Sequence, residues 1–196
     1  MVGRRTLTRS ALLLAFAAAL ALTGCSTGPG AVDQSSGGAN GYVAGDGKTV
    51  EYTTSHRTTA PDFGGATLAG GRFDLAAHRG DVIVVNFWAS WCAPCRLESA
   101  QLQATYQALK SRGVEFIGVD SRDARDAALS FITGRVSYPS LFDPAGRIAL
   151  KFKDVPTALP STLIIDRQGR VAVVIRNTVT QRSLTPLVEK VAGEST

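Results

Sequence analysis

The sequence predicts an α/β domain built on a mixed β-sheet with a parallel half and an antiparallel edge. Three observations carry that reading. The most apolar stretch of the folded part is the run Val82-Ile83-Val84-Val85-Asn86-Phe87-Trp88, whose length and β-branching fit a strand buried on both faces and therefore central. A helical stretch and a second apolar strand follow it, and strands joined through a helix pair in parallel by a crossover. Near the C-terminus two short β-rich runs flank Arg167-Gln168-Gly169, a spacing that makes an antiparallel hairpin.

The folded domain is expected over residues 61–196, opening at Pro61-Asp62-Phe63. Residues 67–73, around Gly70-Gly71, predict an N-terminal β-hairpin extension. Beyond the central strand, Leu102, Tyr106 and Leu109 fall at i, i+4 and i+7 of a helix that ends before Gly113, a natural left-handed stop. Residues 114–120 make the next strand. Ser121 is placed to cap a helix in which Ala124, Ala127, Ala128, Phe131 and Ile132 share one face. Residues 138–142 and 148–152 predict a short strand and a helical turn. Residues 161–166 and 171–176 form the hairpin, and a last helix buries Leu184, Leu187, Val188 and Val191 with Pro186 in its first turn.

Residues 1–24 read as an export signal. Arg4, Arg5 and Arg9 precede an unbroken apolar run of twelve residues, 11–22, the charged and hydrophobic regions of a secretory leader. Such a run is short of the roughly 20 residues that span a bilayer as a helix. Leu22-Thr23-Gly24-Cys25 resembles the bacterial lipobox, which implies cleavage before Cys25 and lipidation of its thiol. Several acyl chains anchor a protein stably where one does not, so the expected location is the extracytoplasmic face of the cell membrane, where disulfides persist. Residues 25–60 are then a lipidated cysteine and a tether rich in Gly, Ser, Thr, Asn and Asp, too polar to offset its ordering entropy. Within it, Tyr42-Val43 and residues 48–52 could pair as strands around Gly45-Asp46-Gly47.

The formal charge of +5 falls to +2 once the three leader arginines are set aside. The remaining cations are scattered among acids with no basic run, which argues against nucleic acid as a partner. Cysteine occurs three times, at 25, 92 and 95, and histidine twice, at 56 and 78. Three cysteines are too few for a disulfide-stapled scaffold. A zinc site on Cys92 and Cys95 would need two further ligands, and with Cys25 lipidated only the two histidines remain, so no metal and no organic cofactor is expected.

If Cys92 opens the helix after the central strand, its sulfur lies beside free backbone N–H groups and the positive end of the helix dipole, which favour a thiolate. Cys95, one turn on and on the same face, is within disulfide reach but less exposed. Attack by Cys92 on a partner disulfide and resolution by Cys95 follow from that order. Pro94 fits the first turn, where its missing N–H has no helical partner.

The segment Phe87-Trp88-Ala89-Ser90-Trp91-Cys92-Ala93-Pro94-Cys95-Arg96-Leu97-Glu98 resembles the active-site segment of thioredoxin-like proteins, specifically the membrane-anchored, extracytoplasmic TlpA/ResA type. The similarity runs from about Ala60 to the C-terminus and includes Tyr138-Pro139-Ser140-Leu141-Phe142-Asp143 and Leu159-Pro160-Ser161-Thr162. It implies a thioredoxin-like fold and thiol-disulfide exchange on exported proteins. Disulfide reduction, for example of apocytochrome c, with electrons from a membrane partner, is the direction it suggests. It also implies that Pro160 is a cis-proline which, with Leu159 and Trp91, meets substrate backbone. Glu98 matches an acid placed near the resolving cysteine, where a desolvated carboxyl shuttles its proton. Asn86 stands where cytoplasmic thioredoxins carry a buried Asp, and its amide cannot serve as a base. Ala100 replaces a proline frequent in the family.

Other readings stay open on sequence alone. Glu98 reads equally well as a solvated helix residue. Trp88 is assigned to the core, Trp91 to the flank of an exposed Cys92 sulfur, and His78 to a solvated turn. A disulfide-forming oxidase, a thiol peroxidase and a peptide-binding module without catalysis are the competing functions.

Overall fold

The computed structural model describes residues 47–152 and 158–194. The leader, Cys25, the Tyr42-Val43 strand and most of the tether lie outside the described residues. Among the described residues no helix is long and apolar enough to cross a membrane.

Six strands form the main sheet in the order β1 (Thr49–Glu51), β8 (Val171–Ile175), β7 (Ser161–Ile165), β4 (Val82–Trp88), β5 (Val114–Ser121) and β6 (Ser140–Asp143). β4 (Val82–Trp88) lies inside the sheet and all seven of its residues are buried. α1 (Ala93–Leu109) carries the chain to β5 (Val114–Ser121), and α2 (Arg125–Ile132) carries it to β6 (Ser140–Asp143); both strands join in parallel. The short α3 (Arg147–Leu150) follows, then β7 (Ser161–Ile165) and β8 (Val171–Ile175), which complete the antiparallel side before α4 (Gln181–Ala192). Alternation along β4 sorts two cores. Ile83, Val85 and Phe87 pack with Phe63, Phe73 and Phe152, while Val82 and Val84 pack with Leu102 and Leu109 of α1 and Leu184 and Val188 of α4. The thioredoxin-like architecture and the parallel and antiparallel halves agree with the sequence reading.

Several local expectations shift. The N-terminal hairpin exists, but its strands are β2 (Gly64–Ala66) and β3 (Arg72–Asp74), so residues 67–71 are its loop, with Gly70 and Gly71 at φ +93° and +89°. β1 (Thr49–Glu51), in the stretch assigned to the tether, instead pairs antiparallel with β8. Its backbone donors and acceptors find partners on an open sheet edge, and composition does not report that. Ala60 is likewise buried, with its N–H on the Gly169 carbonyl at 2.9 Å.

Ser121 does not cap α2. It pairs with Asp143 as the last residue of β5, and Ala124 takes the N-cap without a side-chain bond. Of the expected α2 stripe, Ala128, Phe131 and Ile132 are buried while Ala124 and Ala127 are exposed. Pro186 lies in the second turn of α4, because the Thr180 and Ser183 capping box starts that helix at Gln181. His78 is half-buried and stacks on Phe73 at 4.7 Å between centroids, since the 3-10 turn Leu75–His78 folds it back over the ring.

Candidate active site

β4 ends at Trp88 in the core, 5.4 Å from the Phe131 ring centroid, and the chain turns sharply through Ala89 to Trp91. The Cys92 N–H donates to the Ala89 carbonyl at 3.1 Å. Cys92 is the N-cap of α1 in extended backbone, and its carbonyl accepts the Arg96 N–H at 3.1 Å. Its Sγ accepts the Cys95 N–H at 3.3 Å. This is the dipole and donor environment the sequence anticipated, with Pro94 in the first turn where no N–H is needed. The two cysteines form a disulfide with Cα atoms 5.3 Å apart.

Accessibility departs from expectation. Cys92 is 1% exposed and Cys95 2%, so in the oxidised protein the Cys92 sulfur is covered. Trp91 is half-buried, and its Nε1 donates to the Arg122 carbonyl at 3.0 Å. Both cysteines belong to the core cluster that contains Phe87, Trp88 and Leu159, with Trp91 packed against it.

Glu98, one turn beyond Cys95 on the same helix face, is 2% exposed. Its Oε1 accepts from Asn86 Nδ2 at 2.8 Å, and its Oε2 accepts the Val179 N–H at 2.9 Å. Asn86 Nδ2 also reaches Thr162 Oγ1 at 3.2 Å. Burial pushes the Glu98 carboxyl up to about 7, against the two hydrogen bonds that hold it down. Asn86 therefore orients the carboxyl, and the solvated reading of Glu98 fails. Tyr138 is raised as well, first by its own burial and then by the Glu98 charge.

The Leu159-Pro160 peptide is cis. Pro160 leads into β7, whose Ser161 pairs with Phe87 near the end of β4, which sets this bend at the same end of the sheet as the cysteines. Leu159 is 3% exposed and, with Ala158, Phe87, Ser121, Arg122 and Ala149, lines a cavity of about 110 Å³. Cys92, Cys95 and Glu98 are thus carried by one helix, Asn86 by the central strand beside it, and Pro160 by the neighbouring strand. Cys25 lies outside the described residues. Among those described, no group of three or more His, Cys, Asp or Glu side chains could hold a metal ion.

Acids that no sequence motif marks stand behind the loop. Asp120 and Asp143 are buried, and Asp123 Oδ2 accepts the Ser90 N–H at 2.5 Å. An acid at the end of an otherwise apolar strand run, Phe116 to Asp120, was the available signal.

Comparison with known proteins places this geometry. A "thiol:disulfide interchange protein DsbE homolog" of Paracoccus denitrificans is 38% identical over 144 residues, covering 69% of this chain and 76% of that protein. The "thiol-disulfide oxidoreductase ResA" of Bacillus subtilis is 32% identical over 128 residues, 65% of this chain and 70% of that protein. The crystal structure of a secreted thiol-disulfide isomerase from Corynebacterium glutamicum superposes with a TM-score of 0.67 at 34% identity, over 76% of this chain and 96% of that one. The model of the AhpC/TSA family matches residues 57–174, a span that holds the cysteine pair, Glu98 and the cis-proline. With a bonded Cys-Ala-Pro-Cys pair at the mouth of a helix and relatives of this kind, the chain belongs to the AhpC/TSA family and is a thiol-disulfide oxidoreductase of thioredoxin-like fold.

Proposed function

We propose that the protein reduces disulfides in exported proteins, with Cys92 as the nucleophile, Cys95 as the resolving thiol and Glu98 as the proton acceptor for Cys95. The observation that carries the reading is the N-cap position of Cys92, whose Sγ receives the Cys95 N–H. The same donor and the helix dipole favour a thiolate once the disulfide is opened. The thiolate attacks a substrate disulfide to form a mixed disulfide and expels one substrate thiolate. Cys95, losing its proton to the Glu98 carboxylate, then attacks Cys92 Sγ and expels the second substrate sulfur as a thiolate, which takes a proton from water while Glu98 gives up the one it received. The Cys92–Cys95 disulfide remains and must be re-reduced by a redox partner, for which a membrane protein is the natural class. A carboxyl near 7 is matched to take a thiol proton at neutral pH. Half-buried Trp91 and the buried Leu159-Pro160 bend are the surface the substrate meets once they part. Access to the covered Cys92 requires that surface to yield.

The resemblance to the TlpA/ResA type supports apocytochrome c as a substrate class. The leader, with Cys25 in a lipobox setting, supports lipid anchoring on the extracytoplasmic side of the cell membrane. Loss of radiolabelled acyl incorporation in Cys25→Ser tests the anchor.

Two measurements test the chemistry. Cys92→Ser should abolish turnover of a model disulfide, while Glu98→Gln slows it roughly 100- to 10,000-fold, the range of a single general base; equal rates in Cys92→Ser and wild type would leave only a peptide-binding role. The equilibrium reduction potential decides direction. A value near the roughly −270 mV of thioredoxin supports reduction, and one near the roughly −120 mV of DsbA would assign the protein to disulfide formation.

A further inference from the structure

The Asp120 carboxyl has no part in the exchange just described. It is 0% exposed near the end of β5, and neither of its oxygens meets an N–H or O–H donor. Asp120 stands opposite Trp88 of β4 and Phe142 of β6. β4 brings no charged residue, β6 brings Asp143, and the following loop brings Arg122 and Asp123. The charges that bear on Asp120 most are those of Asp123 and Asp143, both acids. Two cations of the flanking helices are engaged elsewhere: Arg125 of α2 donates to the Leu68 carbonyl at 2.9 Å and covers the Phe142 ring, and Arg96 of α1 lies over the Phe131 ring.

A carboxyl so placed keeps its proton unless a donor or cation compensates its charge. Asp143 has both oxygens occupied, by the N–H groups of Arg147 at 3.0 Å and Ile148 at 2.8 Å. Asp123 accepts from Ser90 N–H through Oδ2 at 2.5 Å and from Ala124 N–H through Oδ1 at 2.7 Å, and its side chain is within hydrogen-bonding reach of Asp120. Donated N–H bonds favour the ionised form of the group that accepts them, so of the two Asp123 is the carboxylate and Asp120 the acid. The link to the redox loop is double, because Arg122, between them in left-handed backbone at φ 56°, offers its carbonyl to Trp91 Nε1.

We propose that Asp120 donates its proton in a hydrogen bond to Asp123, and that this pair positions the loop Ser90-Trp91-Cys92 for exchange. Asp120 is thus a positioning residue that acts through Asp123 and Ser90. Its consequence at Cys92 rests on the exchange chemistry assigned above, whereas the shared proton does not. When Asp120 gives the proton to water, Asp123 loses a donor and gains a like charge beside it, and the anchor of Ser90 weakens. Burial first, then the charges of Asp123 and Asp143, push the Asp120 carboxyl up to about 8, so the loop is held at neutral pH and released in mild alkali.

Carbon-13 NMR of oxidised protein labelled at aspartate, in which the bonded Cys92 and Cys95 do not titrate, should show one carboxyl titrating near 8. Titration of every aspartate below about 6 overturns the proposal without recourse to a variant. The two tryptophans, Trp88 and Trp91, flank the pair, so intrinsic fluorescence of the oxidised protein should change over the same pH interval. Asp120→Asn should remove both the carboxyl signal and the fluorescence step, whereas Glu98→Gln retains them. A wild type without the step, or a step that survives in Asp120→Asn, shows that the pair does not position the loop. In turnover of a model disulfide, wild-type kcat/KM should fall across this interval and Asp120→Asn should lose that break; a break that persists overturns the coupling. A protein with no exchange activity would sink the proposed function, and the two spectroscopic results would still decide the pair.

Discussion

Two donors, Asn86 and the Val179 N–H, hold the Glu98 carboxyl, yet burial outweighs them and lifts it from 4.5 to about 7. The unfolded chain releases this proton near 4.5 and the native protein near 7, so between those values the native state binds more protons. Stability from this group is therefore fully present below 4.5 and is lost as pH rises towards 7, by up to about 3 kcal/mol. Glu98→Gln should flatten that part of the profile, and urea midpoints at pH 5 and pH 8 should differ less in the variant than in wild type. An unchanged difference would mean that the carboxyl is ionised throughout. The three-residue spacing from Cys95 was legible in the sequence; the burial was not, because Val179, 81 residues away, closes over the carboxyl. The Cys92 sulfur shows the same limit, since the sequence places it at a helix mouth and only packing around Trp91 and Leu159 covers it.

Within β5, Gly118 is a glycine for reasons of close approach. A methyl group there would lie 2.2 Å from Ser140 Oγ and 2.8 Å from Trp88 Nε1, so β4, β5 and β6 meet at this point without room for a side chain. Gly118→Ala should cost about 1–3 kcal/mol, read as a lower urea midpoint with unchanged slope; a neutral result would show that Ser140 can turn away freely. Element existence was legible wherever a strong period or apolar run occurred, as in β4, α1 and the β7–β8 hairpin. Boundaries were less so. Ser121 resembles a cap in sequence but is committed to pairing with Asp143, and Pro186 ends up a turn deeper because the capping box begins upstream.

Across the molecule, the ends of the folded region are tied together by charge as well as by β1. Arg57, with a side chain 4% exposed, pairs with Asp166 at 3.1 Å and with Glu194, and Asp166 also holds Arg170 at 2.8 Å. β1 covers the edge of β8, which would otherwise present unpaired backbone groups. Arg57→Ala should destabilise by about 1–3 kcal/mol, because it removes a charge-assisted hydrogen bond from the buried Asp166 that Arg170 still holds. A drop in melting temperature without loss of disulfide exchange is the expected result, and a variant as stable as wild type would show the pairing to be incidental.

Local order in the chain determined the class of fold, the central strand, the helix that begins at Cys92 and the redox pair itself. These depend on periodicity, turn chemistry and short spacings, which neighbouring residues settle among themselves. Tertiary structure alone decided that β1 completes the sheet, that Glu98 is buried against Asn86, and that Asp120 and Asp143 are buried behind the loop that half-buried Asp123 ties at Ser90. Those outcomes depend on residues distant in sequence removing water from the same place, and desolvation is a property of the assembled fold.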